Sequence, residues 1–364
     1  KVMNDIDLRS VCNSEKPWSS IGGYDFNTEG KYFNFSGTFN GNKKTIDYLY
    51  IDTDKELSQG LFGYTVDAEI LGVIIGTNSS IKAIHWVGGI VGYAYNTTIL
   101  NCGNNGKISG TEECIGGIAG VLDCGEITGC YNKGNISGKK CLGGICGNSW
   151  KSSSRNGKCA IQYSYNTGLV KVEIENTSTT TYIGGICGYI EGFTMVANCY
   201  NKGNVIGDKN TRHGGLVGAT VSRNYSDSSN WVIDKIAKNE IKYICNIGNI
   251  YSTGTQIGGI CGHNGQHCTV KNNYILKGIE IKRSNDNAIN PIGEKSLYLG
   301  KYVGYANDGS QTYIDGNGEI TNAVNAETED ITNTVYYIVN GMNSSESQYW
   351  DKGNPTEPKL KWEL

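Results

Sequence analysis

Val87-Gly88-Gly89-Ile90-Val91-Gly92, Ile115-Gly116-Gly117-Ile118-Ala119-Gly120 and Leu142-Gly143-Gly144-Ile145-Cys146-Gly147 are three copies of one block. The block returns at 183–188, 213–218 and 257–262, with degenerate copies at 58–63 and 299–304. A second block follows most copies. It reads Cys130-Tyr131-Asn132-Lys133-Gly134-Asn135-Ile136, then Ser164-Tyr165-Asn166-Thr167-Gly168-Leu169-Val170, then Cys199-Tyr200-Asn201-Lys202-Gly203-Asn204-Val205. Residues 102–108 and 244–250 are looser versions.

The spacing decides the architecture. Gly88 to Gly116 is 28 residues, Gly116 to Gly143 is 27 and Gly184 to Gly214 is 30, while other steps lengthen to between 41 and 44. A constant short unit with insertions in some copies is the mark of a solenoid; propeller blades need about 40 to 50 residues and four strands each. Each unit offers three extended runs separated by Gly and Asn, residues that tolerate positive φ at corners. The sequence therefore predicts an all-β, single-stranded parallel β-helix (β-solenoid) of about eight coils of three short strands, with N- and C-terminal caps. The divisions are 1–57 for the N-terminal cap and first coils, 58–319 for the repeats and 320–364 for the C-terminal cap. Insertions fall near 148–162, 171–182, 219–243 and 280–298.

Composition agrees. Gly at 51 without a three-residue period excludes collagen, and 24 Tyr among recurring Ile, Val and Leu argue against disorder. Net charge is −3 and no basic block stands out, so neither nucleic acid nor an anionic membrane is an expected partner. No apolar run reaches the length of a membrane span. The chain opens in a strand-like segment and reads as a monomeric piece of a larger protein.

Gly60-Leu61-Phe62-Gly63 and the Gly-Gly-Ile-x-Gly … Cys-Tyr-Asn-x-Gly-x-Val units resemble the GLUG repeat of bacterial surface proteins. The opening is also similar, with Asn4–Leu8, Trp18, Phe35–Asn42 and Thr45-Ile46, as is the close, with Asn340, Trp350, Pro358 and Trp362. Cysteine in the Gly-Gly-Ile-Cys-Gly slot resembles variants of clostridial gut anaerobes. The resemblance implies a secreted or cell-surface β-helical region of the kind found in adhesins and beside the catalytic domain of immunoglobulin A proteases. It carries no catalytic residues across.

Chemistry is sparse. His85, His213, His263 and His267 are the only histidines, and no His-Glu-x-x-His motif exists. His263 and His267 are four apart, but Gly265 places them in a corner, so no metal site is expected. Asp315-Gly316-Asn317-Gly318-Glu319 begins like a calcium loop but has Ile320 and Ala326 where glycine and glutamate are needed, so it reads as a turn. A polysaccharide-cleaving β-helix would need carboxylates recurring on one strand face. The repeated positions are instead Gly, Ile, Val, Cys, Tyr and Asn, so neither catalytic residues nor a cofactor are expected.

Of 13 cysteines, Cys146, Cys187 and Cys261 share a slot with Val91, Ala119 and Val217, and Cys102, Cys130 and Cys199 share one with Ser164 and Ile244. Interchange with small apolar residues predicts buried thiols. Cys114 and Cys141 share a third slot with Trp86 and Tyr182, on adjacent coils within disulfide reach. Asn104, Asn132, Asn166, Asn201 and Asn246 align, either as an amide ladder or because Asn suits the turn. Tyr131, Tyr165 and Tyr200 should point outward, stacking on each other or offering a platform for a ligand.

The expected function is an extracellular binding or adhesion module, not an enzyme, recognising a host surface protein, immunoglobulin or glycan. A structural stalk or spacer beside a catalytic domain outside the chain is the alternative, and a polysaccharide-cleaving enzyme the second. Insertions 148–162 and 219–243 leave the same segment two coils apart, with 189–198 between them. They gather Trp150, Arg155, Phe193, Arg223 and Trp231 on one edge, and Trp and Arg dominate interface hot spots. The longer insertion reads as a short helix over about 231–241, capped by Asn230, with Ile233, Ile236, Ala237 and Ile241 on one face.

Overall fold

A computed structural model of the 364-residue chain describes residues 1–25, 31–54, 57–151, 157–173, 180–221, 239–253 and 256–264, with shorter pieces at 268–271, 274–275, 281–283, 298–299, 301–305, 311–315, 347–354 and 357–363. One turn shows the plan. Glu113–Gly116, Ala119–Asp123, Gly125–Thr128, Tyr131–Asn132 and Ile136–Gly138 are its strands, and Lys140–Gly143, Cys146–Trp150, Cys159–Gln162, Tyr165–Asn166 and Val170–Val172 repeat them in the next turn. Five short strands per turn replace the three expected. They fall into an eight-stranded sheet, a six-stranded sheet and one large curled sheet, so the molecule is a parallel β-helix with three sheets.

The extra breaks have a local cause. Asn101, Gly129, Tyr163, Asn198 and Tyr243 occupy one slot, immediately before the second block, and all have φ between 46° and 64°. Each bends its strand in two. Tyr is a poor residue for that conformation, so the stacked neighbours impose it. The glycines of the Gly-Gly block behave in the opposite way: none has positive φ, contrary to the corner role expected. They are needed for close approach. A Cβ on Gly184 would sit 2.6 Å from the Leu216 carbonyl oxygen of the next turn, and one on Gly89 would sit 3.0 Å from Cγ of Asn104.

Register holds across the insertions near 148–162, 171–182 and 219–243. Gly88, Gly116, Gly143, Gly184, Gly214 and Gly258 pair in sequence. So do Ile81, Ile108, Ile136, Val170, Val205, Ile250 and Ile281. The members of this second row from Ile81 to Ile250 are fully buried; burying such a side chain contributes roughly 1.5–3 kcal/mol relative to leaving it in water. The stack begins within residues 1–57, where Phe35–Asp47 pairs in parallel with both Ile6–Asp7 and Phe62–Ile75. It ends differently from the expected eighth copy: Tyr298–Leu299 runs antiparallel to Tyr274–Ile275, and Lys301–Tyr305 forms an antiparallel pair with Gln311–Asp315. Among the described residues the one helical piece is a 3₁₀ turn, Lys361–Glu363. The helix expected over 231–241 does not reach its end, because Asn239–Lys242 is a strand with Ile241 fully buried; residues 222–238 lie outside the described residues.

Asn104, Asn132, Asn166, Asn201 and Asn246 form the amide ladder. Each Nδ2 donates to Oδ1 of the next, at 2.8, 2.7, 2.8 and 3.0 Å, and all five side chains are fully buried. The second Nδ2 proton goes to the carbonyl two residues on, at Gly106, Gly134, Gly168, Gly203 and Gly248. The column thus satisfies its own buried donors and ties together turns whose insertions differ.

A histidine sits among the apolar residues of the core. His213 occupies the row of Ile183 and Ile257, is fully buried, and hydrogen-bonds through Nε2 to the Val205 carbonyl at 3.1 Å. Burial pulls its pKa from 6.5 down to about 3. The unfolded chain therefore binds the proton first as pH falls, and stability is lost progressively below pH 6.5. At pH 5 the loss attributable to this ring is about 2 kcal/mol, at 1.36 kcal/mol per pH unit. His213→Ile is expected to gain that much on the parent chain between pH 7 and pH 5, as measured by denaturant unfolding. Parallel pH profiles for the two proteins would rule out a buried neutral imidazole.

Candidate functional site

Two lateral faces carry the aromatic residues. On the first, Tyr131, Tyr165 and Tyr200 stand on the outer side of in-register strands, with Cys130 and Cys199 inside. Their rings stack at centroid distances of 5.6 and 5.0 Å. They are not open to a ligand: relative exposures are 5%, 2% and 0%. The chain's own C-terminal residues cover them. Trp362 stacks on Tyr131 at 5.5 Å and donates its indole N–H to the Gly129 carbonyl at 2.7 Å. The Tyr165 hydroxyl donates to Glu363 Oε1, which also pairs with Lys133 at 2.9 Å, and the Tyr200 hydroxyl donates to the Pro358 carbonyl. The described part of the C-terminal segment thus lies along the side of the stack.

Trp362→Ala removes one ring stack and one hydrogen bond, together worth about 2 kcal/mol. Amide exchange over 350–354 should accelerate roughly thirty-fold, while 187–191 keeps its protection. Equal protection of both segments in the variant would contradict this docking.

The second face lies on the outer side of five strands: Val91–Tyr95, Ala119–Asp123, Cys146–Trp150, Cys187–Glu191 and Val217–Val221. Strand alternation builds two outward rows. One contains Tyr93, Val121, Asn148, Tyr189 and Ala219; the other contains Tyr95, Asp123, Trp150, Glu191 and Val221. Trp86, Cys114, Cys141 and Tyr182 flank the first row from the neighbouring sheet, and Arg212 lies beside Tyr182. Trp86 meets Tyr93 edge-on at 5.1 Å, and Tyr182 meets Tyr189 at 4.6 Å.

Trp150 stands between two carboxylates, Asp123 and Glu191, in consecutive register. They are two strand spacings apart, about 10 Å, and only 2% and 3% exposed although their positions face outward. Tyr93 donates its hydroxyl to Asp123 at 2.9 Å. Burial first, and the Asp123 charge second, hold that hydroxyl protonated well above the ordinary tyrosine range. Among the described residues, Asn148 Oδ1 and Arg212 Nε are buried atoms with no hydrogen-bond partner on this face. The arrangement offers flat apolar rings with a few polar groups between them, a chemistry suited to recognition.

Of the residues singled out from sequence, Trp150 and Phe193 come together here: Lys151 Nζ, next to Trp150, lies 4.5 Å from the Phe193 ring centre. Arg155, Arg223 and Trp231 lie outside the described residues. The register of Trp150, Glu191 and Val221 shows that the described strands ending just before residues 152 and 222 reach the same row two turns apart. Sequence reasoning missed Tyr93, Asp123, Tyr189 and Glu191. Parity counted from the inward slot of Val91, Ala119, Cys146 and Cys187 would have turned them inward; alternation breaks at the glycine that follows, so that Ala94, Leu122 and Ile190 are the next inward residues and the positions on either side of them face out. His263 lies in the strand Cys261–Asn264, and among the described residues no three His, Cys, Asp or Glu side chains are grouped to hold a metal ion. No helix of the described residues is long and apolar enough to cross a membrane.

The family model of the GLUG motif matches residues 179–206, which take in the fourth Gly-Gly block and the Cys199–Val205 block. The fold is similar to the crystal structure of a protein from Bacteroides ovatus described as a "putative immunoglobulin A1 protease", with a TM-score of 0.56 and 18% identity over 99% of this chain and 84% of that one. At that identity the likeness concerns the fold. No curated protein matches the chain in sequence.

Proposed function

We propose that this stack of GLUG-type turns is an extracellular binding or adhesion module, with the face around Trp150 as its contact surface. The partner is a host surface protein, an immunoglobulin or a glycan. One observation carries the reading: two outward rows place Tyr93, Trp150 and Tyr189 on one rigid sheet face, beside the points where two insertions leave the stack. A rigid scaffold with variable insertions on one edge is how repeat proteins present binding surfaces. Rings held by strands lose little conformational freedom on binding.

The test begins with a pull-down from mucus, serum or secretory immunoglobulin using the whole chain. With a partner identified, Trp150→Ala and Trp231→Ala should each weaken binding by at least about 1 kcal/mol, roughly five-fold. Unchanged affinity in both variants, with folding intact, would remove this face from consideration.

A second reading is a spacer beside a catalytic domain outside the chain. The fold shared with the Bacteroides ovatus protein favours it, because that protein is described as a protease. In that case the whole chain would capture no partner by itself. In either reading the chain contributes no catalysis of its own.

A further inference from the structure

The twelve cysteines with described side chains are thiols, and all are buried. Cys114 and Cys141 stand apart from the interior thiols. Cys102, Cys130, Cys146, Cys159, Cys187, Cys199 and Cys261 lie in the interior core. Several interior thiols donate to the carbonyl two residues away: Cys102 to Leu100, Cys130 to Thr128, Cys146 to Asn148, Cys187 to Tyr189 and Cys199 to Ala197. Cys114 and Cys141 have no such carbonyl among the described residues. They lie with Val121 on the outer side of the stack, beneath Trp86, Tyr93, Trp150, Tyr182 and Tyr189.

We propose that Cys114 and Cys141 are a modification site, closing into a disulfide between consecutive turns when the chain meets an oxidised low-molecular-weight disulfide. The backbone sets up the bond. The two residues sit between the paired neighbours Glu113–Lys140 and Ile115–Leu142, so their Cα atoms are one strand spacing apart, about 5 Å. That lies within the range a disulfide spans. Both have left-handed φ, 65° and 53°, so both Cβ atoms leave the strand on the same side. The Cys141 thiol lies beside Cys114 and, together with burial, raises its pKa well above the ordinary thiol range. The Lys140 ammonium, paired with Glu113 at 2.9 Å, is a cation close to both.

The exchange balances without a further reagent. One thiol gives its proton to solvent, and its thiolate attacks a sulfur of the small disulfide, expelling one small thiolate. The second protein thiol, after losing its proton, attacks the protein sulfur of the mixed disulfide and expels the other. Two protein thiols are oxidised by two electrons, and one small disulfide is reduced to two thiols. With each residue only 4% exposed, the first attack requires the rings above to open, so the reaction is slow. The product locks one turn to the next directly below the face assigned to binding, and does not depend on that assignment.

The native full chain is incubated with oxidised glutathione, acid-quenched, unfolded, alkylated and mapped by mass spectrometry. The expected result is a cross-linked Cys114–Cys141 peptide, with Cys102, Cys130, Cys146, Cys187, Cys199 and Cys261 recovered as alkylated thiols. Cys114→Ser should abolish the cross-link and leave Cys141 as a glutathione adduct, and Cys141→Ser should do the reverse. If either variant fails to fold, the parent chain's peptide map decides alone. Recovery of both cysteines as free thiols, under conditions that oxidise the unfolded chain, would overturn the proposal. So would cross-links among the interior cysteines at equal yield.

Discussion

Asn166→Leu is expected to lower the stability of the coil stack by about 3–5 kcal/mol, measured by denaturant unfolding of the whole chain. Asn166 is an inner rung of the ladder. Its Nδ2 donates to Asn201 Oδ1 and to the Gly168 carbonyl, and its Oδ1 accepts from Asn132. Leucine has a similar volume but leaves the Gly168 carbonyl and one Asn132 proton buried without a partner, and removes one donor from Asn201. Each orphaned buried group costs about 1–3 kcal/mol. The outermost rung should cost less, because Asn104 bonds to one neighbouring rung, Asn132, whereas Asn166 bonds to two. Equal effects at Asn104 and Asn166, or a loss under about 1 kcal/mol at Asn166, would mean that asparagine merely suits the turn.

Gly143→Ala is the second large effect expected, at about 3 kcal/mol or more. The added Cβ would overlap the Cys146 carbonyl oxygen and sit 2.9 Å from Cα of Cys187 in the next turn. Both obstacles are backbone, so no side chain can move aside, and the turns must separate. Overpacking of this kind costs 1–3 kcal/mol where side chains relax, and more where they cannot. The φ of Gly143 is unremarkable, so the cost comes from steric approach rather than from backbone conformation. A control, Gly23→Ala, has nothing within 4 Å of its added Cβ and should change stability little. A small effect at Gly143 would show that adjacent turns are not packed this closely.

The stack was legible because its signal repeats. Each inward slot admits small residues or Cys, so interchange at 91, 119, 146, 187 and 217 reveals one inward position, and interchange at 102, 130, 164, 199 and 244 reveals a second, which turns the neighbouring Tyr131 outward. The local backbone was not legible. Trp86, Cys114, Tyr163, Phe193 and Tyr243 all adopt left-handed φ, where propensity would call for Gly or Asn. Stacking against equivalent residues overrides that preference, and no single segment shows it. The C-terminal docking was equally hidden, since the bond from Trp362 to Gly129 spans 233 residues. Tyr131, Tyr165 and Tyr200 were therefore recognised as an outward row, while the chain segment that covers them was not. The face around Trp150 was half visible. Trp150 and Phe193 stood out by residue type, whereas Asp123 and Glu191 were hidden because alternation breaks at the glycine after the inward slot, leaving Leu122 and Ile190 as the next inward residues.

The central claim is that residues about one coil apart in sequence meet as successive rungs inside a single column. A double-mutant cycle between Asn132 and Asn166, using alanine at each position, tests it directly. The two amides share the bond from Asn132 Nδ2 to Asn166 Oδ1 at 2.7 Å, across 34 residues. The single losses should therefore fail to add, with an interaction energy of about 1–2 kcal/mol. Additivity within about 0.5 kcal/mol would contradict the ladder and the register of turns built on it.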